Sequence, residues 1–136
     1  QFSRTYQVEM ETLWLAATKV FSIYSTDEFS KETGLIKTKW IESSYNKNLY
    51  DVPSQELIGF PAKSRILCSM TEGSINGKPA VKVVLYKELK IKKELMDGYV
   101  DYKSDGIEEE IILYRLGRIV KMEGQITNAN DPIEGF

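Results

Sequence analysis

The chain has 136 residues, the size of one domain, and its 42% hydrophobic and 28% charged content is that of a globular chain and not a disordered one. Its 18 basic and 20 acidic residues leave a net charge of −2, which argues against nucleic-acid binding as the main function, since phosphate backbones require a concentrated positive field. There is no histidine and one cysteine, Cys68, which excludes Ser–His and Cys–His nucleophile pairs, intrachain disulfides and cysteine zinc sites within this sequence.

No apolar run approaches the ~20 residues that span a bilayer. The first residue is Gln1 and not Met, so the sequence is expected to begin inside a longer or processed precursor.

In chain order, residues 5–10 alternate Tyr6, Val8 and Met10 with polar neighbours, the pattern of a half-buried strand. The period then changes. Leu13, Trp14, Ala17, Val20, Phe21 and Tyr24 form one apolar stripe, which predicts a helix over 11–24 with Trp14 in the core. Glu9 and Glu11 sit near its start, where the helix dipole favours negative charge. Residues 25–29 and 35–41 read as the two strands of a hairpin closed around Gly34, with Ile36, Thr38 and Trp40 on one face and Lys37 and Lys39 on the other.

Residues 42–63 lack periodicity and read as a long loop, marked by Pro53, Gly59 and Pro61 but rich in apolar groups. A strand follows at 64–71, where Ile66, Cys68 and Met70 alternate. Residues 72–79 read as a hairpin connection, and a long strand runs over 80–93. In that strand Val81, Val83, Leu85, Leu89 and Ile91 share a face interrupted by Lys87, the antiparallel habit of one buried and one wet side. Lys82, Lys87, Lys90, Lys92 and Lys93 crowd this stretch and read as its solvated face.

Residues 95–103 hold a turn signal at Asp97-Gly98. A second helix is expected from about Asp105, with Glu108 placed to complete a capping box, Ile112, Leu113, Leu116, Ile119 and Val120 as the buried stripe, and Gly124 as the stop. The whole predicts an α+β fold, an antiparallel sheet packed against two helices, as a single domain over 1–127 with a loose tail at 128–136.

The carboxylates Asp27, Glu28, Glu32, Glu108, Glu109 and Glu110 would serve a glycosidase only if two faced one cleft; their positions read as solvated turns and a helix start. Cys68 reads as a buried thiol. Neither a Gly-x-Ser-x-Gly elbow nor a phosphate loop is present, so no catalytic, cofactor or metal residues are assigned. The candidate partner contacts are Tyr45, Tyr50 and Phe60 in the long loop, because tyrosines offer large contact area at low entropic cost. The competing role for that loop is to fold back and cap the sheet.

Tyr6-Gln7-Val8-Glu9 leading into Leu13-Trp14-Leu15-Ala16-Ala17, then Thr33 through Trp40 with a glycine opening a strand, and the closing stretch from Glu109 to Leu116 resemble the NlpB/DapX lipoprotein family. That family supplies the lipid-anchored C subunit of the outer-membrane β-barrel assembly machinery. The resemblance implies a helix-grip-like domain on the periplasmic side of the outer membrane. It implies a non-enzymatic role through contacts with other envelope proteins, no cofactor, no nucleic acid, and membrane contact only through a lipid anchor outside this sequence. The alternative function is a helix-grip pocket for a small apolar ligand.

Overall fold

The computed structural model describes residues 2–44, 60–92 and 98–127. Their elements run β1 (Phe2–Tyr6), α1 (Met10–Val20), β2 (Thr26–Ser30), β3 (Leu35–Thr38), β4 (Ile41–Ser44), β5 (Pro61–Ile75), β6 (Lys78–Ile91), β7 (Val100–Tyr102) and α2 (Ile107–Thr127), with a short 3-10 turn at Phe21–Ile23. All described strands join one antiparallel sheet in the order β1-β6-β5-β3-β2, with β4 also on β5 and β7 also on β6. Both helices pack on one face, which is the α+β arrangement expected from the pattern.

The β5–β6 hairpin is the spine. Asn76 and Gly77 take φ of 52° and 76°, the two left-handed residues of a type I′ turn, whose twist matches that of its strands. The strands therefore continue to Ile75 and from Lys78, and the longer connection expected over 72–79 is wrong: Gly73 and Ser74 pair with Ala80 and Pro79. Pro61 opens β5, a position where its missing N–H is tolerated, so the strand begins inside the stretch read as loop.

One residue of slippage on β5 decides which side chains face which way. Lys37 pairs with Leu67 and Ile41 with Ser64, so four steps along β3–β4 match three along β5. This is a bulge, and a one-residue shift exchanges the two faces of a strand. Ile36 and Thr38 stay on the helix side, buried, whereas Trp40 turns to the opposite face. The expected grouping of all three on one face is corrected accordingly. Thr38 is almost wholly buried because its Oγ1 accepts the Ile66 N–H at 2.9 Å, filling a gap in the ladder at the bulge.

The core lies between the helices and the sheet. Leu13, Ala16, Ala17, Val20 and Phe21 meet Ile36, Ile66, Cys68, Val83 and Leu85 from the strands, and Ile112, Leu113, Leu116 and Val120 from α2. The first strand ends at Tyr6; Val8 and Met10 only flank the core, because Met10 already begins the helix. The helix itself ends at Val20, with Phe21 in the 3-10 turn. Trp14 sits at the core's rim, edge-on to Phe29 with ring centroids 4.8 Å apart, and not in its centre.

At its far end α2 runs through Gly124 to Thr127, so Gly124 does not stop it. At its start Asp105 Oδ1 accepts the Ile107 N–H at 3.0 Å as expected, but Glu108 is engaged elsewhere and the capping box is not closed. Gly34 takes φ of 71° against the backbone of Met70, whose N–H donates to the Gly34 carbonyl at 2.8 Å. Tyr45, Tyr50, Lys93 and the tail at 128–136 lie outside the described residues.

Candidate functional site

Three groups of polar side chains are candidates for chemistry. The first lies under α2. Lys87, which interrupts the apolar face of β6, reaches Glu108 Oε1 at 2.8 Å, and the Tyr24 hydroxyl donates to Glu108 Oε2. Neighbouring Glu109 is almost wholly buried and accepts from Ser104 Oγ at 3.1 Å. The expectation that Glu108 and Glu109 are simply solvated, and Lys87 part of a wet face, is corrected: these groups stitch α2 to β6 and to the end of α1. Burial, and then the bond to Glu108, push the Tyr24 hydroxyl well above its ordinary range. A tyrosine held protonated between a carboxylate and a packed core is a fixed donor.

A second group surrounds the N-terminal end of α1. Glu9, Glu11 and Glu72 border a shallow cleft of about 360 Å³ together with Lys31. Lys31 donates to Glu11 at 2.9 Å and holds that exposed carboxyl below its usual value. Asp27 and Glu32 are exposed on β2 and its turn, and Glu28 pairs across the strands with Lys37. Among the described residues no three carboxylates or thiols are grouped to hold a metal ion. Cys68 is buried, its thiol pushed up to about 12 by desolvation, as the alternation in β5 indicates.

The third group occupies the sheet face opposite the helices, on which no described element packs. The bulge delivers Trp40 there, between β3 and β4. Arg65 stacks over its indole at 4.5 Å, with Lys63 at 5.0 Å and Lys90 at 5.9 Å. Lys63 also lies 4.5 Å from the Tyr99 ring. Lys63 and Lys90 are direct cross-strand partners, as are Arg65 and Glu88, so the ladder itself fixes the cluster. Arg65 is neutralised by Glu88 at 2.9 Å and Lys90 by Asp101 at 3.1 Å. Lys63 has aromatic rings beside it and Glu42 as its cross-strand partner on β4.

Around this centre the face carries Lys37, Leu67 and Lys82, and the exposed Leu35 and Tyr86. Aromatic and cationic groups held on a rigid sheet give a recognition surface of large area and low entropic cost. No protein-family model matches the chain, and no curated protein matches it.

Of the three residues expected to contact a partner, only Phe60 is described. It is partly buried and packs with Tyr102 against Ala62, Leu89 and Ile91, at the other end of the sheet's helix-side face. The sequence pattern set Trp40 on the face of Ile36 and Thr38 and gave no contact role to it or to Lys63, Arg65 and Tyr99. The signal that bears on them is the second face of the long strand, where Lys82, Val84, Tyr86, Glu88 and Lys90 share one side; what placed Trp40 among them was the bulge.

Proposed function

We propose that this chain is a non-catalytic binding domain that works through protein–protein contacts, and that the open sheet face around Trp40 is the contact surface. The observation that carries this reading is the cluster of three cations within 6 Å of one indole, set on a face that no described element covers. Glu28, Glu88 and Asp101 are interspersed with those cations, which suits a protein partner of mixed charge better than a phosphate backbone.

The sequence resemblance adds the setting: a bacterial cell-envelope domain of the outer-membrane lipoprotein kind, on the periplasmic side, meeting other envelope proteins in outer-membrane protein assembly. The order of one helix after the first strand, a run of antiparallel strands and a long closing helix supports a helix-grip comparison. The alternative function, an apolar ligand held between helix and sheet, is less well supported. The side chains at that interface are packed against one another, and the described clefts open at the surface.

Site-specific photocrosslinking in cells tests the proposal. A benzoylphenylalanine at Tyr86, on the open face, is expected to trap envelope proteins, and Trp40→Ala or Lys63→Glu to abolish the adduct. The same probe at Leu15, exposed on α1, is the control. Equal adducts from both positions, or adducts at Tyr86 indifferent to Trp40→Ala, refute the assignment of this face.

A further inference from the structure

A cleft of about 870 Å³ lies elsewhere, between β1, the tip of the β5–β6 hairpin and the second half of α2. One wall is the backbone of an edge strand. Among the described residues β1 pairs with β6 alone, and residues 4–7 border the cleft in succession. The other wall is one face of a helix, since Tyr114, Gly117, Arg118 and Lys121 recur at helical spacing. Gly117 lies over the Tyr6 ring, where an added Cβ would stand in van der Waals contact at 3.4 Å.

The lining is cationic. Among the described residues Arg4, Arg118 and Lys121 border the cleft and no carboxylate does, in a chain whose net charge is −2. Arg4 pairs with Glu110 at a loose 3.7 Å. Apolar groups alternate with the cations, and Ile75, Tyr114 and Met122 are each more than two fifths exposed. An unpaired strand edge offers its main-chain N–H and C=O groups to an added strand. Cations and apolar contacts on the facing helix then select that strand's side chains.

We infer that this cleft binds an extended acidic peptide segment of a partner protein, added as a strand to the free edge of β1, with its carboxylates on Arg118 and Lys121. The inference rests on the protein-contact reading above and adds to it a second surface and the chemistry of the segment that fills it. The bound strand lies antiparallel or parallel to β1 with alternate side chains toward α2, so glutamates and apolar residues in alternation match the lining.

The test uses the whole chain and a labelled, end-capped synthetic peptide alternating glutamate and valine, followed by fluorescence anisotropy. The expected result is saturable binding, weakened about tenfold or more by the double reversal Arg118→Glu/Lys121→Glu. N-methylation of alternate peptide amides is expected to weaken binding comparably, because it removes main-chain donors. Both helix residues are exposed, and an unchanged circular dichroism spectrum verifies that the variant folds.

The inference is overturned by no saturation up to about 1 mM peptide, the scale of negligible affinity, by equal binding of a lysine–valine peptide, or by indifference to N-methylation. Binding of anionic phospholipid vesicles that needs Arg118 and Lys121, without peptide binding, overturns it in favour of a headgroup site. Trp40→Ala is expected to leave peptide affinity unchanged, so failure here is distinct from failure of the open-face reading. Loss of peptide binding in Trp40→Ala would place the peptide on the other face and overturn the cleft.

Discussion

Replacing Tyr6 by Phe isolates the bond that fastens the first strand to the last helix. The Tyr6 hydroxyl donates to the Leu113 carbonyl at 2.6 Å across 107 residues of sequence, and the ring is only 3% exposed. The substitution keeps the ring and deletes one buried hydrogen bond. The Leu113 carbonyl lies within a regular helix and retains its helical partner, so the loss is that of an ordinary bond, about 1 kcal/mol, and not of an orphaned acceptor. For a domain of this length, an unfolding entropy of about 2.1 cal/mol/K per residue converts that to a Tm lowered by about 3–4 °C.

The pH dependence gives a second, independent reading of the same group. Burial pushes the Tyr6 hydroxyl from 10.0 up to about 12 in the folded chain. Below pH 10 both states hold the proton and its contribution is fully present. As pH rises from 10 toward about 12, the unfolded chain releases the proton first, so stability falls. The Phe variant lacks this loss. The two proteins are therefore expected to differ by about 1 kcal/mol near neutrality and to converge near pH 11, where one unit of linkage amounts to about 1.4 kcal/mol. Thermal and urea unfolding from pH 7 to 11, followed by circular dichroism, measures both. A variant as stable as the parent at pH 7, or a difference that stays constant through pH 11, refutes the reasoning.

Further substitutions probe the bulge, the polar stitch and the thiol. Gly34→Ala combines a φ of 71° with a Cβ 2.3 Å from the Met70 carbonyl oxygen, and is expected to cost more than about 2 kcal/mol in urea unfolding. Gly106→Ala also has a positive φ, but its clash is with the Phe2 ring, which can move, so it is expected to cost less; the reverse order would refute the packing argument. Lys87→Met is expected to destabilise by about 1–3 kcal/mol, and by distinctly less in a Glu108→Gln background, a double-mutant cycle reporting the ion pair. Cys68→Ala is expected to cost about 1 kcal/mol of packing. It should also flatten the decline in stability that starts as pH passes 9.0, since the buried thiol holds its proton up to about 12; a thiol reagent should label the parent only on unfolding.

Local chemistry alone determined a good deal of this protein. Alternation placed Ile66, Cys68 and Met70 together in a strand, helical spacing placed Leu13, Ala17 and Val20 on one buried stripe and Ile112, Leu113 and Leu116 on another, and the absence of histidine is a property of composition. Those signals are short-range: each is set by the period of a single element, so the α+β class could be read without knowing which elements meet. What only the tertiary structure decided depends on register between distant strands. The slip between Lys37–Leu67 and Ile41–Ser64 turned Trp40 to the open face, and the crossing of α2 over β6 drew Lys87, Glu108 and Tyr24 together. Neither is encoded in a periodicity, because a bulge changes the facing of a side chain without changing the pattern around it. The cleft beside β1 likewise exists only because the chain's first strand and its last helix, more than a hundred residues apart, are folded against each other.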